Sequence, residues 1–238
     1  MEPPLRQPTP RWGLGDAALG MVVGLMLSAG AASAWLGASG GEELSLGGRA
    51  ISQIGLWTGL VGAAVWASRR KGSGRLAEDF GLRMRGVDVV IGLVLGVACQ
   101  LGLVNLIAFL LSPLIGHPDV AGPVTDLVRD TKGPKLVGVV LFTVVGAPVV
   151  EELFFRGLLL RSLQRRLPNV VAIPVSALLF GASHLQPLSP EGLLLVVTSL
   201  VAFGAVLAYI TVRTGRLGPA IWTHAVFNAY TMVALLTE

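Results

Sequence analysis

Apolar stretches of membrane length alternate along this chain with short polar breaks rich in glycine and proline. Seven stretches stand out: 15–37, 48–67, 87–111, 135–158, 169–186, 192–211 and 219–236. A bilayer core about 30 Å thick takes about 20 apolar residues per helix. Each stretch therefore reads as a transmembrane helix. The pattern predicts an all-α, polytopic transmembrane helix bundle of about seven helices, with an eighth allowed. The loops are too short for a soluble domain.

Composition agrees. Only 13% of the 238 residues are charged and the mean hydropathy is +0.73, whereas soluble chains carry about 25% charge. The 31 glycines suit helices that pack closely in lipid, where small residues rather than the hydrophobic effect bring helices together. The net charge of +4 does not call for nucleic acid, because the basic residues have a simpler use. Cytoplasmic loops are enriched in Lys and Arg. Thirteen fall in the tail and the loops after the second, fourth and sixth spans; four (Arg49, Arg129, Lys132 and Lys135) fall on the other side. This predicts a cytoplasmic N-terminus and an external C-terminus. Residues 1–14 form a proline-rich cytoplasmic tail, 15–133 the N-terminal helices and loops, and 134–236 a C-terminal core. Ala32-Ser33-Ala34 resembles a signal-peptide cleavage site, but the apolar stretch is longer than a typical signal and more spans follow. The first helix is expected to be retained.

The basic loop 68–86 sets topology and can touch anionic lipid headgroups, with a short helix or turn expected at Glu78 to Leu82. The external loop 112–134 reads as turns on its Gly and Pro punctuation, and His117 within it as solvated. The single cysteine, Cys99, reads as a small buried apolar residue rather than an activated thiol.

Three polar clusters break the apolar pattern: Glu151-Glu152-x-x-x-Arg156, Phe180-x-x-x-His184 and His224-x-x-x-Asn228. Ionisable groups at membrane depth are costly and mark functional sites. Glu152 and Arg156 stack on one helical face and can pair. Glu151 is rotated about 100° away, so it is protonated, hydrated or paired across the bundle. Pro148 removes a helical hydrogen bond and predicts a kink, an ordinary transmembrane feature or an opening beside the carboxylates. Phe180 and His184 share a face. His224 and Asn228 share another and can offer two donors to one oxygen, as an oxyanion hole requires. A neutral histidine opposite a carboxylate can help deprotonate water. Glu151, His184 and His224 also compose a conceivable zinc site with an open position, although no HExxH occurs.

These three motifs, in this order and hydrophobic setting, resemble the CAAX protease and bacteriocin-processing family of membrane proteins. That family includes prenyl-protein endopeptidases of the Ras-converting type and bacterial abortive-infection proteins. The resemblance covers about 134–236 and marks that core as the catalytic one. It implies an intramembrane endopeptidase in which Glu151 and His184 activate water and His224 and Asn228 stabilise the oxyanion. Glu152, Arg156 and Phe180 support them. It favours a metal-free site over zinc. The expected setting is a prokaryotic plasma membrane, with the site in the cytoplasmic half and reached from the cytoplasm. The expected partners are membrane lipid and a peptide or protein substrate, prenylated or not, with no nucleic acid. Two other classes stay open: a proton- or ion-coupled transporter, since Glu and His chains mark ion pathways, and a non-catalytic immunity or scaffold protein of the same fold. One tension is visible: Glu151 and His184 each lie past the middle of antiparallel segments. They meet only if the fourth helix extends past Arg161.

Overall fold

The computed structural model describes residues 11–120 and 122–237; the predicted tail 1–10 lies outside the described residues. All regular structure among the described residues is helical. The helices are α1 (Leu14–Ser39), α2 (Leu46–Lys71), α3 (Leu76–Asp79), α4 (Gly86–Ile115), α5 (Pro123–Asp130), α6 (Pro134–Gln164), α7 (Asn169–Ala182), α8 (Pro190–Thr214) and α9 (Gly218–Thr237). The polytopic helical bundle expected from the sequence is thus present, and each of the seven stretches became a helix.

Five of these helices (α1, α2, α4, α6 and α8) are long and apolar enough to cross a membrane. The other two of the seven are those that carry the histidines. α7 is apolar but has only 14 residues. α9 is long enough, but His224 and Asn228 lower its hydropathy. α5 departs from expectation: Pro123 opens an eight-residue helix where turns were anticipated. Proline suits a first helical turn, where its missing N–H costs nothing.

Close backbone approach holds the bundle together. A Cβ built on Gly59 of α2 would lie 2.2 Å from the Gly24 nitrogen of α1, so only glycine permits that contact. Likewise a Cβ on Gly92 of α4 would lie 2.3 Å from the Cβ of Trp222 in α9. Such small-residue contacts are how membrane helices gain packing without a hydrophobic driving force.

At one end of the bundle, a clasp fixes the start of α9. Asp88 is fully buried and takes the Arg216 guanidinium at 2.6 Å and the Arg85 N–H at 2.8 Å. The Leu217 and Gly218 N–H groups donate to the Gly81 and Arg83 carbonyls at 2.7 and 3.1 Å. Arg161 of α6 donates to the Gly215 carbonyl at 2.9 Å. These contacts set the height of His224 relative to α6.

α6 runs through the centre and is not uniformly α-helical. It widens to π-helical turns at Phe142–Gly146 and Glu152–Leu159. Residues 152–160 are all buried, while 140–147 and 149–151 are half-buried or exposed. The helix is therefore enclosed on one side of Glu151 and accessible on the other.

Candidate active site

Pro148 shapes the first part of the site. It offers no N–H to the preceding turn. The Ala147 N–H bonds the Phe142 carbonyl five residues back. The Thr143 carbonyl is thereby left without its usual helical donor. Asn228 of α9 supplies one, with its carboxamide nitrogen 2.9 Å from that oxygen. The kink expected at Pro148 is thus a π-helical turn whose freed carbonyl is capped from across the bundle. Asn228 is engaged with this backbone group, an arrangement its spacing from His224 did not reveal.

The π-helical turn beginning at Glu152 carries the buried ion pair. Arg156 Nη1 lies 2.9 Å from Glu152 Oε1, and both side chains are fully buried. Arg156 Nη2 donates to the Gly204 carbonyl of α8 at 3.1 Å, and its guanidinium sits 4.2 Å above the Phe180 ring. Gly204 makes room for this contact: a Cβ there would lie 3.1 Å from Phe180 and 3.2 Å from Arg156 Nη2. The same Glu152 oxygen receives His224 Nδ1 at 2.9 Å. Glu152 therefore joins Arg156 to His224.

The local chemistry fixes the histidine orientations. α7 ends at Ala182 because the Phe180 carbonyl is taken by side chains. Ser183 Oγ donates to it at 2.7 Å, and His184 Nδ1 lies 2.8 Å from it. The His184 N–H turns to the Gly181 carbonyl instead. A carbonyl oxygen only accepts, so His184 Nδ1 carries a proton and Nε2 points away from that bond. The same reasoning at the Glu152 carboxylate puts a proton on His224 Nδ1, with Nε2 again pointing away.

Both Nε2 atoms face Glu151. Its Oε2 lies 3.7 Å from His184 Nε2 and 3.9 Å from His224 Nε2, and has no hydrogen-bond partner among the described residues. These distances exceed a direct hydrogen bond and belong to groups that share a water or a substrate atom. Phe180 is fully buried and backs this space. Its ring stands 4.6 Å from the His184 ring and edge-on to His224 at 5.8 Å. Phe203 closes the opposite side, edge-on to His224 at 5.6 Å and stacked on Phe227 at 4.0 Å.

The depth tension resolves in the way the sequence required. α6 continues past Arg161 to Gln164. Glu151 lies thirteen residues before Gln164 and His184 fifteen after Asn169. At about 1.5 Å per residue, each stands about 20 Å from the connecting turn. The structure thus gathers Glu151, Glu152, Arg156, Phe180, His184 and His224 into one site, with Asn228 one turn along α9. Gly204, Phe203 and the Thr143 carbonyl were missed. The Gly204 and Thr143 contacts run through backbone carbonyls, which leave no side-chain signature, while Phe203 is one apolar residue among many in its segment. Cys99 is buried as expected, and His117 lies in an exposed loop.

A family model described as "Type II CAAX prenyl endopeptidase Rce1-like" matches residues 133–230. Residues 133–230 are thus similar to the CAAX prenyl endopeptidase family. The matched segment holds α6 to most of α9, and with them every group in the site. No curated protein and no solved structure matched the chain. This similarity to a membrane endopeptidase family agrees with the five helices long and apolar enough to cross a membrane, and the chain is an integral membrane protein.

Glu151, His184 and His224 are the residues that would hold a zinc ion. Among the described residues, no group of three or more His, Cys, Asp or Glu side chains stands in a metal-holding arrangement.

Proposed function

We propose that the protein is an intramembrane endopeptidase that hydrolyses a peptide bond with water activated between Glu151 and His184. The observation that carries this reading is the convergence of the Nε2 atoms of His184 and His224 on one Glu151 oxygen that has no hydrogen-bond partner among the described residues. A water held there can lose a proton to Glu151 or to His184 Nε2 as it attacks a carbonyl carbon. The tetrahedral oxyanion needs a donor. His224 in its imidazolium form supplies one through Nε2, and Glu152 favours that form through Nδ1 as a buried carboxylate does in acyl-transfer sites; when the C–N bond breaks, the proton taken from water passes to the leaving amine. Arg156 fixes Glu152, and Phe180 fixes Arg156. Asn228 supports the site through the Thr143 carbonyl, with its second amide proton left for the oxyanion.

Burial also bears on the entrance. Residues 152–160 and Gly218 to Ile221 are all buried, which closes the end of the bundle carrying the basic loops. Glu151, His184 and Asn228 retain partial exposure. On the orientation set by those loops, we propose entry from the membrane-facing side or the outer half, in place of the cytoplasmic entry the sequence suggests. The substrate class drawn from the family is a peptide near the membrane, and prenylated C-termini are the first probes to use.

The test is cleavage of a farnesylated C-a-a-X peptide by purified protein, with and without a chelator. Activity that survives the chelator and disappears in Glu151→Gln supports the reading. Stoichiometric zinc lost together with activity overturns the metal-free chemistry. Vesicle flux that depends on Glu151 without proteolysis would favour a transporter.

A further inference from the structure

A second polar feature lies far from the histidines, at the basic end of the bundle. A cavity of about 180 Å³ is lined by Arg11, Trp12, Gly13, Ser162, Arg165 and Arg166. It joins the first turn of α1 to the last turn of α6. Among the described residues, its lining offers three guanidinium groups and no carboxylate. Asp16, three residues past Gly13, is already occupied: one oxygen takes Lys71 Nζ at 2.7 Å and the other the Gly13 N–H at 2.8 Å.

The walls are pinned. The Arg11 N–H donates to the Lys71 carbonyl at 2.7 Å. The Arg165 guanidinium donates to the Trp12 carbonyl and lies 5.3 Å over the Trp12 ring. Trp12 is 4% exposed, and its indole Nε1 has no hydrogen-bond partner among the described residues. Three cations around one hollow call for an acceptor-rich anion. The amino end of the 26-residue α1 adds a favourable dipole. At about 30 Å³ per water, the hollow has space for a phosphate and its first glycerol carbons.

We infer that this cavity binds the phosphodiester headgroup of an anionic phospholipid. Free phosphate shares that chemistry, but the position favours lipid. The cavity lies where α1 begins its span, beside a tryptophan, the residue that marks membrane interfaces. It sits on the side carrying the basic loops, and basic pockets between transmembrane helices on that side take anionic headgroups. A bound headgroup ties the start of α1 to the end of α6, the helix that bears Glu151. The inference stands independently of the protease reading.

Native mass spectrometry of the purified full-length chain in detergent tests it, with phosphatidylglycerol and phosphatidylcholine titrated separately. Phosphatidylglycerol is expected to bind in preference. Arg11→Gln with Arg166→Gln is expected to weaken it roughly 30-fold, at about fivefold per arginine. Arg165 stays, because it holds the Trp12 carbonyl. Arg69→Gln with Arg70→Gln, exposed and outside the cavity, is expected to change binding less than twofold. Should the double cavity variant unfold, Arg166→Gln alone carries a fivefold loss and decides. Equal binding of the two lipids, equal losses in cavity and control variants, or displacement by millimolar inorganic phosphate would overturn the inference.

Discussion

Replacing Arg156 by Ala isolates the one fully buried cation of the site. Three contacts are lost: the 2.9 Å pair with Glu152, the 3.1 Å bond to the Gly204 carbonyl and the stacking on Phe180. Removing one member of a buried ion pair costs about 3–5 kcal/mol, because the other charge stays buried. The Gly204 carbonyl adds little, since hydrogen bonds between membrane helices average about 0.6 kcal/mol. The ion pair therefore dominates. For a chain of this size, 3–5 kcal/mol corresponds to a fall in melting temperature of roughly 6–20 °C. Thermal unfolding in detergent micelles reads it directly. The stringent comparison is the double variant Glu152→Gln with Arg156→Met. Removing both charges abolishes the desolvation cost, so the double variant is expected to recover most of the lost stability. It is not expected to recover activity, because His224 loses its carboxylate. A single variant that melts with the wild type, or a double variant no better than the single, would refute the reasoning.

Glu151→Gln is expected to lower turnover by about 10²–10⁴-fold with melting little changed, because Glu151 Oε2 has no hydrogen-bond partner among the described residues; peptide cleavage and thermal unfolding check the two halves. Gly204→Val is expected to destabilise by about 1–3 kcal/mol through overpacking, since even its Cβ stands 3.1 Å from Phe180; the melting temperature reports it. Phe180→Ala is expected to cost about 3–5 kcal/mol by opening a cavity and to reduce cleavage as well, since the same ring covers Arg156 and both histidines. Asn228→Ala is expected to cost about 1–3 kcal/mol by stranding the Thr143 carbonyl. That loss should shrink in a Pro148→Ala background, where the backbone regains a donor, and a double-mutant cycle measures the difference.

The seven helices were legible because lipid demands long apolar stretches, and this demand writes itself into every residue of a span. The site was legible for the complementary reason: Glu151, Glu152, Arg156, His184 and His224 are affordable at that depth only if they meet. Their partners were less visible. Glu152 pairs within its own helix, as the four-residue spacing implied, but its second bond to His224 depends on how α9 is docked by Asp88 and Arg216, far away in sequence. Asn228 was expected beside the oxyanion; its bond to the Thr143 carbonyl was not foreseen, because the consequence of Pro148 is a freed backbone carbonyl, and spacing along α9 carries no trace of it. α7 was expected to reach residue 186 and stops at 182, where Ser183 and His184 capture the Phe180 carbonyl. The entrance was expected on the cytoplasmic side from loop charge and from the depths of Glu151 and His224; the burial of 152–160 supports the other entry proposed above.

The central claim is that water activated by Glu151 and His184 cleaves a peptide bond. Single-turnover cleavage of a farnesylated C-a-a-X peptide in ¹⁸O-labelled water, followed by mass spectrometry, tests it most directly. The account predicts one ¹⁸O in the new carboxylate for the wild type and a loss of at least about a hundredfold in Glu151→Gln and in His184→Ala, with both variants folded. Cleavage at the wild-type rate in either variant would contradict it.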